Sequence, residues 1–198
     1  MSLTLENKII VKIKKAKRGS LFFIDDFIAF GNSRAVNKAL ERLAAKDEIK
    51  RVARGIYTRP QISSLIGEVI PTAENIAKAI AKRDKARIVP TGSYALNAIG
   101  LSTQVPMNVV YLTDGAARKI KLNKRTITFK KTAPKNLATI GKISTLVIQA
   151  LKEIGKDKVQ EWEENKIIEL LKKEEKTRLQ HDLRMAPEWI RIIMRKAL

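Results

Sequence analysis

Arg34, Lys38 and Arg42 recur at every fourth position of the segment SRAVNKALERLAAK, with Ser33 at its start and Asn37 beside them. On an α-helix this spacing places three cations on one face. The chemistry open to such a set is recognition of nucleic acid. Arginine presents a fork of donors to guanine, asparagine pairs with adenine, and lysine neutralises phosphate. Shortly after come Arg51, Arg54 and Tyr57, on and beside an Arg-Gly pair. From a hairpin these side chains would grip the backbone or the minor groove. Ser33, Arg34, Asn37, Lys38, Arg42, Arg51, Arg54 and Tyr57 are therefore the candidate DNA contacts.

The elements that must carry them follow from periodicity. Val36, Ala39, Leu40, Leu43 and Ala44 recur at helical spacing and form an apolar face opposite Arg34, Lys38, Glu41 and Arg42. Asn32 or Ser33 supplies the oxygen that caps the first turn. The period then shortens: IKRVA and GIYTR are rich in β-formers, and Gly55 between them tolerates the positive φ of a tight turn. Upstream, Leu5, Ile9, Ile13 and Ala16 mark another helix, stopped at Arg18-Gly19-Ser20, and Leu21–Phe30 is a short apolar segment. Helix, helix, turn, helix and hairpin in that order is the layout of a winged helix-turn-helix.

Composition agrees with an anionic partner. The 198 residues carry 40 Lys plus Arg against 20 Asp plus Glu, a formal charge of +20. The excess is +8 over residues 1–66, +9 over 67–141 and only +3 over 142–198. Polyphosphate attracts such a surface strongly, because each neutralised phosphate releases a condensed counterion. A membrane surface is the weaker alternative, since the basic helix lacks a bulky aromatic face. There is no cysteine, which removes disulfides, thiolate catalysis and Cys-ligated metals together. The N-terminal stretch alternates charge with apolar residues rather than forming a secretory signal, so a cytoplasmic location is expected.

Residues 61–71 read as a linker, and the texture then changes. Thr72–Arg83 has helical spacing, whereas residues 88–113 contain no charged side chain at all. Pro90, Gly92, Gly100 and Pro106 interrupt that block, so it is a buried core and not a membrane span. A short strand at 87–89, a buried helix at 93–99, a strand at 108–112 and a hairpin of 119–122 with 125–131 around Asn123-Lys124 are expected.

Catalytic sets are incomplete. The Gly92-Ser93 turn resembles the phosphate cradle of nucleotidyltransferases, but that chemistry also needs paired carboxylates for Mg²⁺. Asp114 is the only acid between residues 85 and 152. His181, the single histidine, lies in a charged helical segment. No catalytic residue, metal or cofactor is assigned, and the alternative is a nucleotide- or RNA-acting enzyme, a degenerate nucleotidyltransferase built on Gly92-Ser93.

Towards the C-terminus, Lys142–Ile154 is amphipathic, 157–183 is helical by propensity, and Pro187 opens a last helix. Trp162 and Trp189 belong to this region, where packing against the chain itself is expected ahead of anchoring a partner.

RAVNKALERLAAKDEIKRVARGIY, PTGSYALNAIGLSTQVPMNVVYLTDG and KNLATIGKISTLVIQAL together resemble the AbiEi-like antitoxins of type IV abortive-infection toxin–antitoxin systems, and an uncharacterised DUF relative of them. The resemblance covers roughly residues 20–155 and leaves the tail from Asp157 unassigned. It implies a repressor whose winged helix binds an inverted-repeat operator in double-stranded DNA, and whose second domain counteracts a nucleotidyltransferase-like toxin. The fold class expected is α+β: a winged helix-turn-helix domain at 1–60, a linker at 61–71, a mixed α/β domain at 72–156 and a helical extension at 157–198.

Overall fold

The computed structural model describes residues 4–123 and 125–198. It is a mixed α+β structure that divides into two compact units. One holds the chain up to Ile80 and a short segment from Ile120; the other holds Ala81–Lys119 and Arg125–Leu198.

The first unit begins with α1, Leu5–Lys15, whose Thr4 side chain accepts the Asn7 N–H at 3.3 Å. The chain leaves α1 through Gly19 at φ +83°, where a Cβ would come within 3.0 Å of the Gln61 side chain. Leu21–Phe23 forms strand β1, and a 3-10 helix follows over Ile24–Phe30. Asp26 turns back to accept the Phe23 N–H at 2.7 Å, which ties that helix to the strand. Helix α2 spans Ser33–Ala45, and of the two expected caps Asn32 is the one used, accepting from Ala35 N–H at 2.8 Å.

Strands β2 (Lys50–Ala53) and β3 (Ile56–Thr58) form the expected hairpin, with Gly55 at φ +71°. The sheet nevertheless has three strands in the order β1-β3-β2, because β1 pairs antiparallel with β3. This makes β3 a central strand, and Ile56, Tyr57 and Thr58 are all buried. Ile9 and Ile13 of α1, Phe27, Val36, Leu40 and Leu43 of α2, and Ile49 close the core around Tyr57. Each of these apolar side chains, once fully buried, stabilises the fold by about 1.5–3 kcal/mol. The stretch read as a linker is itself structured: β4 (Gln61–Ser63) and β5 (Gly67–Val69) pair antiparallel, and Lys50 reaches Glu68 at 3.5 Å. Leu65 and Ile66 at its tip are exposed.

Helix α3, Ala73–Arg83, carries the chain from the first unit into the second. β6 (Ile88–Thr91), β7 (Asn108–Thr113), β8 (Arg118–Leu122) and β9 (Arg125–Lys131) form a sheet of order β6-β7-β9-β8. The β6–β7 pair is antiparallel and β7–β9 parallel. These strands agree with the uncharged block and with the hairpin read from sequence, of whose turn Lys124 lies outside the described residues. Helix α4, Ser93–Ala98, and helix α5, Lys142–Ile154, supply Ala95, Val147, Ile148 and Leu151 to a second core.

The tail completes that core. The segment 157–183 is two helices rather than one, α6 (Glu161–Leu171) and α7 (Lys176–Met185), and α8 (Glu188–Arg195) follows Pro187. Ile167, Leu171, Leu179, Ile190 and Met194 lie in one cluster with the α5 side chains, and Trp189 packs against it while Trp162 is exposed. The hydrophobic core thus runs through position 156 without a break.

Two carboxylates from this tail satisfy the start of α5. Asp182, fully buried, accepts the Ile140 and Gly141 N–H groups at 2.9 Å each and the Ser144 hydroxyl at 2.5 Å. Glu174, in the break between α6 and α7, accepts the Ile143 and Ser144 N–H groups at 2.6 and 3.2 Å. The first N–H groups of a helix have no internal partner and form a partial positive charge, so an anion there is doubly favourable. Gly141 admits the carboxylate: a Cβ on it would sit 2.7 Å from Glu174 Oε2. Asp182→Ala would leave buried donors unmet and should lower stability by about 3 kcal/mol. The shift in urea midpoint between the two proteins measures it.

Candidate functional site

The exposed side of α2 carries Ser33, Arg34, Lys38, Glu41 and Arg42, and Asn37 flanks it half-buried. Helical period accounts for this arrangement, since the apolar positions Val36, Ala39, Leu40 and Leu43 are drawn into the core and their opposites must face water. Arg51 on β2 and Arg54 at the β2–β3 turn are exposed as well. Arg34, Lys38, Arg51 and Arg54 form no ion pair or side-chain hydrogen bond with any other described residue.

The remaining predicted contacts behave differently. Asn37 donates from Nδ2 to Glu41 Oε1 at 2.9 Å, a one-turn pair along α2. Arg42 and Lys46 both bind Glu6 of α1, Arg42 through Nε and Lys46 through Nζ at 3.0 Å. These two hydrogen bonds, from Arg42 and then Lys46, hold the Glu6 carboxyl below its ordinary 4.5. Arg42 remains 54% exposed, which leaves its terminal nitrogens accessible. The role of Glu6 is not visible in the periodicity of α1, because its partners lie 36 and 40 residues away.

Tyr57 is corrected. It is 0% exposed and lies in the core of the first unit, so it cannot lie against a duplex. The sequence alone places Tyr57 on the wing beside Arg51 and Arg54, facing the duplex. Its side chain instead points from the central strand into the side chains of α1, the 3-10 helix and α2, which cover that face of the sheet. Its hydroxyl has no hydrogen-bond partner among the described residues, and burial pushes the phenol above its ordinary 10.0.

The second unit brings together residues that sequence kept apart, in an order unsuited to nucleophilic catalysis. Ser144 Oγ and His181 Nδ1 both contact Asp182, at 2.5 and 2.9 Å. In a catalytic triad the histidine lies between the hydroxyl and the carboxylate, where it can take the hydroxyl proton. Here the carboxylate is in the middle and Ser144 is fully buried.

The Gly92-Ser93 turn, with Gly92 at φ +68°, opens a helix of only six residues. A Cβ on Gly92 would lie 3.7 Å from Glu153 Oε2, so a carboxylate of α5 faces the turn that an anion would have to approach. Asp114 accepts from the Arg87 backbone N–H and from Arg87 Nε, each at 2.8 Å, and these bonds hold its carboxyl low. Among the described residues there is no group of three or more His, Cys, Asp or Glu placed to hold a metal ion. No helix among them is long and apolar enough to cross a membrane.

One protein-family profile matches residues 8–179, which takes in α2, the β2–β3 hairpin, all three sheets and all of α6. The chain belongs to DUF6088, a family of unknown function. No curated protein matches it. Membership of DUF6088 therefore brings no activity with it, and the chemistry of this member has to be argued from its own surface.

Two measurements test this geometry. A group whose folded pKa is depressed stabilises the fold above its unfolded pKa, and that contribution fades as pH falls through the folded value. Glu6→Gln should therefore be less stable than the parent at neutral pH, with the difference closing as the pH is taken progressively below 4.5. Parallel urea melts follow the closure. Tyr57→Phe removes a buried hydroxyl without a partner, a change that costs at most about 1 kcal/mol and can be stabilising. Its thermal midpoint should stand at or above that of the parent, and a large drop would show that the hydroxyl is bonded.

Proposed function

We propose that this protein is a DNA-binding transcriptional regulator whose first unit acts as a winged helix-turn-helix, with α2 as the recognition helix and the β2–β3 hairpin as the wing. The observation that carries the reading is the set Arg34, Lys38, Arg51 and Arg54, exposed and without acidic partners among the described residues, in a chain of formal charge +20. Cations left unpaired on an outward helix face and a neighbouring turn match the footprint of phosphate and base-edge contacts. On this reading Arg34, Asn37, Lys38 and Arg42 lie in the major groove, Ser33 approaches the backbone at the start of α2, and Arg51 and Arg54 hold backbone or minor groove. Glu6 sets the pose of Arg42 and tempers the charge of that face.

The resemblance to AbiEi-like antitoxins supports a more specific role. The protein would repress its own operon from an inverted-repeat operator, counteract a nucleotidyltransferase-like toxin, and work in the cytoplasm without catalysis of its own.

Gel-shift titration on the protein's own upstream region tests the DNA reading. Arg54→Ala should weaken all duplexes alike and reduce the slope of log K against log salt by about one. Arg34→Ala should also relax base preference, at a cost of about 1–3 kcal/mol on the best site. Glu6→Gln should tighten binding by releasing Arg42 and Lys46. If both arginine variants bind as the parent does, α2 and the hairpin are not the interface.

A further inference from the structure

A cavity of about 340 Å³ in the second unit draws its lining from three separate places in the chain. Lys135 and Asn136 come from a 3-10 turn over Pro134–Leu137, Lys152 from the last turn of α5, and Arg184 with Met185 and Pro187 from the end of α7. Its charged lining is wholly cationic. Lys135, Lys152 and Arg184 make no ion pair or side-chain hydrogen bond with another described residue.

None of the described acids near in sequence is paired with these three cations. Asp182 holds the start of α5, Glu188 binds Arg191 at 2.9 Å and Arg195 at 3.5 Å, and Glu153 lies towards Gly92. Desolvation, and after it the positive charge of Lys135, lower the Lys152 pKa from its ordinary 10.5, so these two cations feel one another. A cation in the last turn of a helix is favoured by the helix dipole, which accounts for Lys152 and Arg184 taken singly. It does not account for three cations converging on one concavity, where their mutual repulsion opposes folding unless an anion is shared between them.

We propose that this cavity binds a small phosphorylated molecule, its phosphate oxygens held by Lys135, Lys152 and Arg184 and the rest of it lying over Met185 and Pro187. Arginine grips phosphate through two parallel N–H bonds, and the lysines add point charges from either side. Asn136 donates its Nδ2 to Thr132 at 2.8 Å, which leaves Oδ1 to accept from a polar edge of the ligand. The volume falls in the range of small-molecule sites, about 300–1,000 Å³. A concavity lined by three cations together with Met185, Ala186 and Pro187 suits a free ligand with one charged end better than the convex backbone of a duplex.

Isothermal titration of the full chain with pyrophosphate tests the assignment, beside Lys152→Gln, Arg184→Gln and, as a control cation away from the cavity, Lys172→Gln. The parent and Lys172→Gln should give one saturable site, and the two cavity variants should bind about tenfold more weakly or worse. All three replaced side chains are exposed, and unchanged melting curves verify that the variants fold. Equal pyrophosphate affinity in all four proteins, or no saturable binding to the parent, overturns the proposal. A duplex oligonucleotide that displaces pyrophosphate from the parent assigns these cations to nucleic-acid backbone and overturns the small-molecule reading.

Discussion

Forty cations share twenty carboxylates in this chain, and where those carboxylates go decides which positive charges remain for anything else. Several are committed to backbone. Asp182 and Glu174 hold the start of α5, and Asp26 closes the 3-10 helix after β1. Others are committed to particular cations: Glu6 to Arg42 and Lys46, Asp114 to Arg87, and Asp84 to Arg83 and Arg118. At Asp84 burial raises the pKa, but the bonds from the two arginines outweigh it and the net shift is downward. Surface pairs of this kind contribute little to stability, so their main effect is on which side chains are held in place. Among the cations left over are those on α2 and its hairpin in one unit, and those around the cavity at the ends of α5 and α7 in the other.

The C-terminal helices belong to the second unit's architecture. A helix such as α5, packed on several sides, has to satisfy its first N–H groups without help from water. The acids that do this are supplied from 30 to 42 residues further along the chain. Removing the tail would therefore strip α5 of its cap and expose the apolar faces that α6, α7 and α8 cover. The same requirement explains why Ser144, Asp182 and His181 meet: the carboxylate is there for the helix, and the hydroxyl is one more donor to it.

Much of this was legible in one dimension. The bounds of α5 agree with its apolar repeat, α2 agrees with its amphipathic pattern, and β6, β7, α4 and β9 fall within a residue or two of the strands and helix expected from the uncharged block and the hairpin after it. These elements carry their own signal because a helix or strand with one dry face repeats its polarity at its own period. Strand β1 gave no such signal, since three residues are too few to show a period, and the β4–β5 hairpin was concealed by the prolines and serines that also make linkers. Lys135, Lys152 and Arg184 are 17 and 32 residues apart, and no local pattern could join them.

Sequence by itself determined the α+β class, the basic outer face of α2, the Arg54-Gly55 turn and the shortage of acids across the middle of the chain, because each depends on residue type and spacing along a single element. Only the tertiary structure decided that Tyr57 faces inward, that Arg42 is held by Glu6, that the last forty residues complete the core around α5, and that three distant cations line one cavity. The physical reason is common to all four. Burial and ion pairing are set by what lies across from a residue, and in a folded chain that neighbour is chosen by packing between elements, at sequence separations over which periodicity carries no information.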